Sequence, residues 1–401
     1  MKTFLAAVAA AFISTAAAAQ PNIIVIMVDD VSDDLSIMPR VEQLLSQGTR
    51  YTNSFVNFPL CGPSRATFLT GQEADKHGVI GNSEGFLSDL TGLVPDALRA
   101  AGYRTGIFGK SPNLFDGSPG DLGFDHWVTV SDIHGTRFFD PGMDVDGAIR
   151  RITGYTTDVL YRLAERWIDA REGPYFAWIA AVGGHAPNIP APRYEGACEA
   201  VPFRPGRAFN ELDMSDKPTF MQSLPLLLEG KQRRIENSFR DRCSTIQADD
   251  EWIEHFVVRF ANENTCVFLT ADNGFLHGEH RATGKVLLYD ESIRVPLVWW
   301  GCGAKAGRRD DRLVSNADLP ATILELAGAT PGRSLDGRSF GGVRGKRVNL
   351  RGIWSDEKRG RSGVSIGVRS ARWAHFEHSN GQSERYDMEA DPAQLSSVAE
   401  Q

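Results

Sequence analysis

The sequence predicts an α/β fold: a large, mostly parallel sheet flanked by helices, followed by a small antiparallel sheet near the C-terminus. Three observations carry that prediction, namely continuous apolar runs of strand length, amphipathic segments between them, and a change of texture after residue 304. Asn22–Val28 (NIIVIMV) is apolar after its first residue and ends abruptly in Asp29-Asp30, as a strand buried on both faces does. Residues 104–108, 175–181, 265–269 and 295–300 repeat the pattern. Between them, residues 94–101 stop at Gly102, a helix C-terminal signal, and residues 156–171 and 249–262 place apolar side chains at helical spacing. Alternation of this kind belongs to a parallel sheet. From 304 to 351 there are ten Lys or Arg against five Asp or Glu, and residues 364–369 and 373–377 then alternate as short antiparallel strands do. The expected division is residues 1–19 as a leader, 20–330 as the catalytic domain and 331–401 as a small C-terminal subdomain.

Composition narrows the class. The chain has 401 residues, 42% hydrophobic and 23% charged, with a net charge of −8. A nucleic-acid binder working through overall positive charge is excluded by that balance. Residues 4–19 form the one long apolar run, preceded by Lys2 and ending in Ala17-Ala18-Ala19, which reads as a cleaved signal peptide. No later run approaches the roughly 20 residues of a membrane span, so the expectation is an exported protein, periplasmic or secreted, with no membrane span. Five cysteines in an oxidising compartment leave at least one unpaired. Cys61 is singled out for that place by its unusual neighbourhood, and Cys198, Cys243, Cys266 and Cys302 allow three pairings.

Ligands of open α/β sheets gather beyond the carboxyl ends of the strands. Asp29-Asp30 and Asp272-Asn273 each follow an apolar strand directly, and together they offer only oxygen donors, which suit Ca²⁺ or Mg²⁺ better than zinc. Taken alone, such pairs more often cap helices or turn the chain. The sharper signal is Cys61-Gly62-Pro63-Ser64-Arg65-Ala66-Thr67-Phe68-Leu69-Thr70-Gly71. This segment closely resembles the sulfatase signature C-x-P-S-R-x-x-x-L-T-G, in which a dedicated maturation enzyme oxidises the cysteine to Cα-formylglycine. At a helix N-terminus the residue would meet free N–H groups and a dipole favouring a sulfate anion, with Arg65 one turn on.

The resemblance extends over residues 21–398 and implies an alkaline-phosphatase-like fold and a sulfuric ester hydrolase. Asp29, Asp30, Asp272 and Asn273 match the family's calcium ligands, with the modified Cys61 completing the site. Gly102-Tyr103-Arg104-Thr105 leading to Gly109-Lys110 resembles the second signature, which implies that Lys110 binds sulfate. His185-Ala186-Pro187 resembles the H-x-P segment, whose histidine touches the sulfate or its bridging oxygen. Asp272-Asn273-Gly274, Gly278-Glu279-His280, Lys285 and Glu291-Ser292-Ile293-Arg294-Val295-Pro296 match the downstream block, and Tyr386-Asp387 with Asp391-Pro392 the usual tail. Cys61, Arg65, Lys110, His185 and Lys285 are thus the expected catalytic residues. His277 and His280 read as turn histidines, and the basic stretch 304–351 as a solvated face.

One departure stands out. Many sulfatases continue the lysine signature as G-K-x-H, whereas this chain has Lys110-Ser111-Pro112-Asn113. In the branch resembling N-acetylglucosamine-6-sulfatases the stretch reads G-K-Y-x-N, so Asn113 falls on a substrate-binding asparagine, and residues 156–160 resemble the same branch. The implied partners are a sulfated sugar and a formylglycine-generating or equivalent enzyme. Two other readings compete: a phosphonate or phosphate ester hydrolase on the same scaffold, and an inactive sugar-binding protein in which Cys61 stays a thiol.

Overall fold

The structure is a computed structural model and describes residues 20–82, 87–113, 115, 117–130, 138–342 and 345–398; the expected leader, residues 1–19, lies outside them. In chain order the strands are β1 Asn22–Val28, β2 Thr49–Phe55, β3 Arg104–Gly109, β4 His126–Val130, β5 Gly142–Val145, β6 Ala148–Arg151, β7 Tyr175–Ala180, β8 Thr265–Ala271, β9 Leu276–His277, β10 Thr283–Gly284, β11 Leu297–Gly301, β12 Arg308–Ser315, β13 Arg347–Asp356, β14 Arg361–Ser370, β15 Trp373–His378 and β16 Ser383–Asp387. Ten of them form one sheet in the order β12-β2-β11-β8-β1-β7-β3-β4-β5-β6. The centre is parallel, β8, β1, β7, β3 and β4 running together, while β11 lies antiparallel to both its neighbours.

Alternation along β1 explains why its run is unbroken. Ile24, Ile26 and Val28 pack into one apolar cluster and Ile23, Val25 and Met27 into another, so each face is covered. The helices Val94–Ala100 and Cys61–Thr70 serve one face; Thr156–Asp169 and Glu229–Phe260 serve the other. The last begins twenty residues before the expected 249, because its first turns (EGKQRRIENSFRDR) bury only Ile235 and Arg242 and so carry no apolar stripe. Among the described residues no helix is long and apolar enough to cross a membrane.

The four C-terminal strands form an antiparallel sheet, β13-β14-β15-β16. Its edge strand is not left open. Alternate β13 residues turn their backbone toward the large sheet: the Arg351 N–H donates to the Asn57 carbonyl (2.8 Å) and the Ile353 N–H to the Val286 carbonyl (3.3 Å), while Asn57 Nδ2 donates to the Asn349 carbonyl (2.6 Å). An edge covered this way presents no template for a foreign strand. Of the three cysteine pairings left open, the structure has Cys198–Cys243 and Cys266–Cys302, with Cys61 free and buried.

Candidate active site

Strand register builds the site. Val28 of β1 pairs with Ala271 of β8, so Asp29-Asp30 and Asp272-Asn273 emerge at the same level, and the Asp30 N–H donates to Asp272 Oδ1 at 3.1 Å. Gly109, the last residue of β3, pairs with Ala180 of β7, and the Lys110 N–H then donates to the Ala180 carbonyl at 2.8 Å. At Gly109, with φ +120°, an added Cβ would stand 2.0 Å from that carbonyl oxygen, so only glycine turns the chain here and directs Lys110 inward. Beyond β7, a Cβ on Gly184 would fall 1.8 Å from the Asp29 carbonyl oxygen; the chain leading to His185 passes directly over the metal-ligand candidate. After β2, residues 56–60 lead into the Cys61–Thr70 helix, which starts on Cys61.

These strand ends deliver three carboxylates and three cations to one buried cluster. Arg65 is fully enclosed: Nε and Nη2 reach Asp272 Oδ2 at 3.0 and 2.9 Å, Nη2 also Asp29 Oδ2 at 3.3 Å, and Nη1 the Lys110 carbonyl at 3.2 Å. Lys110 Nζ lies 2.5 Å from Asp29 Oδ2, and Lys285 Nζ contacts Asp30 Oδ1 and lies 2.9 Å from Cys61 Sγ. Cys61 Sγ is 3.6 Å from Asp29 Oδ1. Donor atoms of Asp29, Asp30, Cys61 and Asp272 lie within 4.8 Å of one another. Asn273 Nδ2 donates to Asp30 Oδ1 at 2.7 Å, and its Oδ1 is buried with no partner. An orphaned carbonyl oxygen beside three carboxylates fits a hard divalent cation.

Electrostatics follow from these contacts. Burial works against the Asp29 charge, but Lys110, Arg65, Lys285 and His185 outweigh it and hold the carboxyl well below the usual range. Burial, with Asp272 and Asp29 adding to it, pushes the Cys61 thiol up to about 12. As encoded, then, residue 61 is a poor nucleophile at neutral pH. The helix start adds less than the sequence suggests: Gly62 N–H already donates to Asn82 Oδ1 (2.7 Å), Pro63 has none, and Ser64 N–H returns to the Leu60 carbonyl (3.0 Å). Positive charge for an anion here comes from side chains. Arg65 is likewise committed, because its donors face Asp29, Asp272 and the Lys110 carbonyl.

Outside the cluster, His185 is half-buried on the 183–188 turn, which contains a cis Ala186–Pro187 bond. His185 Nδ1 lies 2.7 Å from the Ala186 carbonyl, which can only accept, so Nδ1 carries hydrogen and Nε2 is the atom free to gain or lose a proton. Asn113 follows three residues after Lys110, its Oδ1 buried without a partner. His280 is structural: buried, 2.7 Å from Glu211 Oε2 and stacked on Tyr289 at 3.9 Å. His277 lies beside Arg242, and burial first, then that charge, lowers its pKa to about 3. In the basic stretch Arg308 and Arg312 pair with Asp310, and Arg312, Arg338, Lys346 and Arg347 line a cavity of about 650 Å³ together with Glu73, Asp318 and Asp336.

Arg242 is the residue that no motif announces. Buried in the Glu229–Phe260 helix, it donates to the Asp30 carbonyl (2.5 Å) and lies over the Phe275 ring (3.8 Å). Asp30 has φ +56°, and this guanidinium holds its peptide in that orientation.

Comparison with known proteins agrees with this geometry. Residues 21–329 match the family described as Sulfatase, and residues 278–401 match the C-terminal family of N-sulphoglucosamine sulphohydrolase. The chain is similar to the N-acetylglucosamine-6-sulfatase of Homo sapiens, 29% identical over 354 residues, 80% of this chain and 64% of that protein. It thus spans less than two thirds of that relative. The N-acetylglucosamine-6-O-sulfatase of Bacteroides thetaiotaomicron is 24% identical over 94% of this chain and 82% of its own. Among solved structures, BT4656 in complex with its substrate D-glucosamine-2-N,6-O-disulfate superposes with a TM-score of 0.82 at 23% identity, covering 94% of this chain and 93% of that one. The phosphonate monoester hydrolase of Agrobacterium radiobacter gives 0.71 at 21% identity, covering 94% and 91%, so the scaffold itself is shared by two chemistries. With the family match spanning most of the chain and the signature residues gathered at one end of the sheet, this protein belongs to the sulfatase family.

Proposed function

We propose that the chain hydrolyses sulfate monoesters of a 6-O-sulfated glucosamine-type sugar, with residue 61 converted from cysteine to Cα-formylglycine by a formylglycine-generating or equivalent enzyme. The N-acetylglucosamine-6-sulfatase relatives support the substrate class, and the apolar leader supports export to the periplasm or medium. One observation carries the reading: Cys61 Sγ lies 2.9 Å from Lys285 Nζ and 3.6 Å from Asp29 Oδ1, in a carboxylate cluster where an Asn273 oxygen, next to the Nδ2 that bonds Asp30, lacks a partner. Asp29, Asp30, Asp272 and Asn273, with residue 61, would hold Ca²⁺, Mg²⁺ being the alternative hard cation. When bound, that ion supplies fixed positive charge favouring deprotonation and offsetting charge on the reacting sulfuryl group. The hydrated aldehyde would supply the hydroxyl that the thiol, protonated to about pH 12, does not.

The remaining work falls to side chains. The cluster pairs Asp29, Asp30 and Asp272 with Arg65, Lys110 and Lys285, close to neutral; a divalent ion would leave it with two positive charges, suited to an anionic ester. Lys110 and Lys285 then turn toward sulfuryl oxygens, while Arg65, enclosed behind them, keeps Asp29 and Asp272 in place. His185 protonates the departing oxygen through Nε2, a role worth about 10²–10⁴-fold. Asn113 hydrogen-bonds the bound substrate. The deciding experiment joins mass and activity. In active protein the peptide containing residue 61 should weigh about 18 Da less than encoded, as conversion of the thiol into an aldehyde nucleophile requires. Paired sulfate and phosphonate esters on the same sample then decide the chemistry: active enzyme holding only thiol overturns the proposal, and preference for phosphonate transfers it to the rival reaction.

A further inference from the structure

Lys285 is carried by a strained turn. It occupies the segment between His280 and Tyr289, in which His280, Arg281, Gly284 and Val286 all have positive φ; at Val286 the angle is +81°. For a β-branched residue this is an outlier that persists only where surrounding structure imposes it. The surroundings are visible. Val286 N–H donates to the Pro59 carbonyl at 3.1 Å, and the Val286 carbonyl accepts from Ile353 N–H of β13 at 3.3 Å. A Cβ on Gly352 would stand 2.4 Å from the Val286 carbonyl oxygen, so β13 passes closely enough for glycine alone. The Val286 and Ile353 side chains pack on Phe58, Leu60 and Ala74. Both ends of the segment are tied down too: His280 to Glu211 (2.7 Å), and the Tyr289 hydroxyl to Glu384 of β16 (2.8 Å).

From this we propose that the C-terminal sheet positions the active-site lysine, strand β13 holding Val286 in its left-handed conformation through Gly352 and Ile353 so that Lys285 reaches residue 61 and Asp30. Gly352, Ile353 and Val286 are positioning residues, since none touches the reacting atoms. The same strand bonds the carbonyl of Asn57, so the approach to Cys61 and the turn bearing Lys285 rest on three consecutive residues, 351 to 353. The C-terminal sheet is on this account part of the catalytic apparatus. The proposal rests on the role given to Lys285 above.

The test is a double-mutant cycle in the full-length matured enzyme. Gly352→Ala forces β13 away from Val286, and Val286→Gly, which adopts positive φ without strain, frees the turn. Each should lower kcat toward the level of Lys285→Ala, about 10²-fold for a group misplaced by an ångström. Combining Gly352→Ala with Lys285→Ala should give no further loss, because both remove one function. Val286→Asn, which accepts a left-handed backbone, should restore the rate lost in Val286→Gly. Hydrogen exchange supplies a readout independent of turnover: the peptide spanning residues 281–289 should exchange faster in Gly352→Ala while the helix 61–70 is unchanged. Losses that multiply in the double variant, or unchanged exchange at 281–289, overturn the proposal. Faster exchange in a protein that hydrolyses no sulfate ester leaves the clamp standing and removes the proposed function instead.

Discussion

Replacing Arg65 with Met tests whether this buried guanidinium is the keystone of the carboxylate cluster. Arg65 is 0% exposed and makes four hydrogen bonds, three of them to carboxylates. Met keeps the length and removes the charge. Asp29 retains Lys110 at 2.5 Å, but Asp272 Oδ2 loses both of its Arg65 donors. Stranding a buried charge this way costs about 3–5 kcal/mol. An unfolding entropy of ~2.1 cal/mol/K per residue over roughly 380 residues gives about 0.8 kcal/mol/K, so Tm should fall by about 4–6 °C. The assay is thermal unfolding at pH 7, once with EDTA and once with excess Ca²⁺. The drop should appear with EDTA and shrink with calcium, since a bound cation offers Asp272 the positive charge that Arg65 no longer does. A shift below about 1 °C in EDTA would show that Arg65 is not what balances these carboxylates. An equal drop under both conditions would show that no cation reaches Asp272.

Other outcomes follow from the same contacts. Asp249, buried in the long helix beside Tyr161, has its carboxyl raised to about 8, chiefly by burial, so the folded state holds a proton that the unfolded chain releases near pH 4. Stability should therefore fall as pH rises between about 4 and 8, and Asp249→Asn should raise Tm at pH 8 while changing little at pH 4. Equal effects at both pH values would reject that titration. Asn273→Ala should lower Ca²⁺ affinity measured by calorimetry; undiminished affinity would remove Asn273 from the ligand set. Many sulfatases have a histidine after the signature lysine that can accept a proton as sulfate is released; after Lys110 this chain has none. If His185 takes over that task as well, His185→Ala should slow even nitrophenyl sulfate, whose leaving group needs no proton, whereas a normal rate would confine His185 to leaving-group protonation. Asn113→Ala should weaken substrate binding by about 1–3 kcal/mol, the loss of one hydrogen bond to a charged group, and an unchanged KM would exclude the contact.

Reading the chain alone recovers strand ends better than edges. β1 and β8 are buried on both faces and announce themselves as apolar runs that stop at Asp29 and Asp272. Arg65, Lys110 and Lys285 are named by the resemblance of their motifs to the sulfatase signatures, and their convergence is a matter of register. Ala148–Arg151 is exposed throughout, and Arg308–Ser315 has five charged residues of eight, so neither carries an apolar signature although both lie in the ten-stranded sheet. Arg242 acts from a helix more than 200 residues from Asp30 along the chain, and the Gly352–Val286 contact joins strand β13 to the turn bearing Lys285 by backbone alone. Side-chain chemistry at fixed spacing is written locally; a backbone contact between distant segments leaves no such mark.

The complete burial of Cys61 sets a schedule for the proposed conversion of this residue. Cys61 is 0% exposed, its Sγ lies 2.9 Å from Lys285 Nζ, and the segment before it is tied to β13 through the Asn57 carbonyl, so a modifying enzyme does not reach the thiol once these parts are assembled. Residue 352 follows residue 61 by about 290 positions, and at roughly 5–20 residues per second its synthesis trails by about 15–60 s. The proposed oxidation of the thiol would belong to that interval, or to any later period in which the chain is held unfolded. Purified, folded protein still bearing a thiol should accordingly resist conversion when mixed with the maturation enzyme, while a peptide covering residues 57–72 is converted; ready conversion of the folded protein would mean that the fold around Cys61 opens.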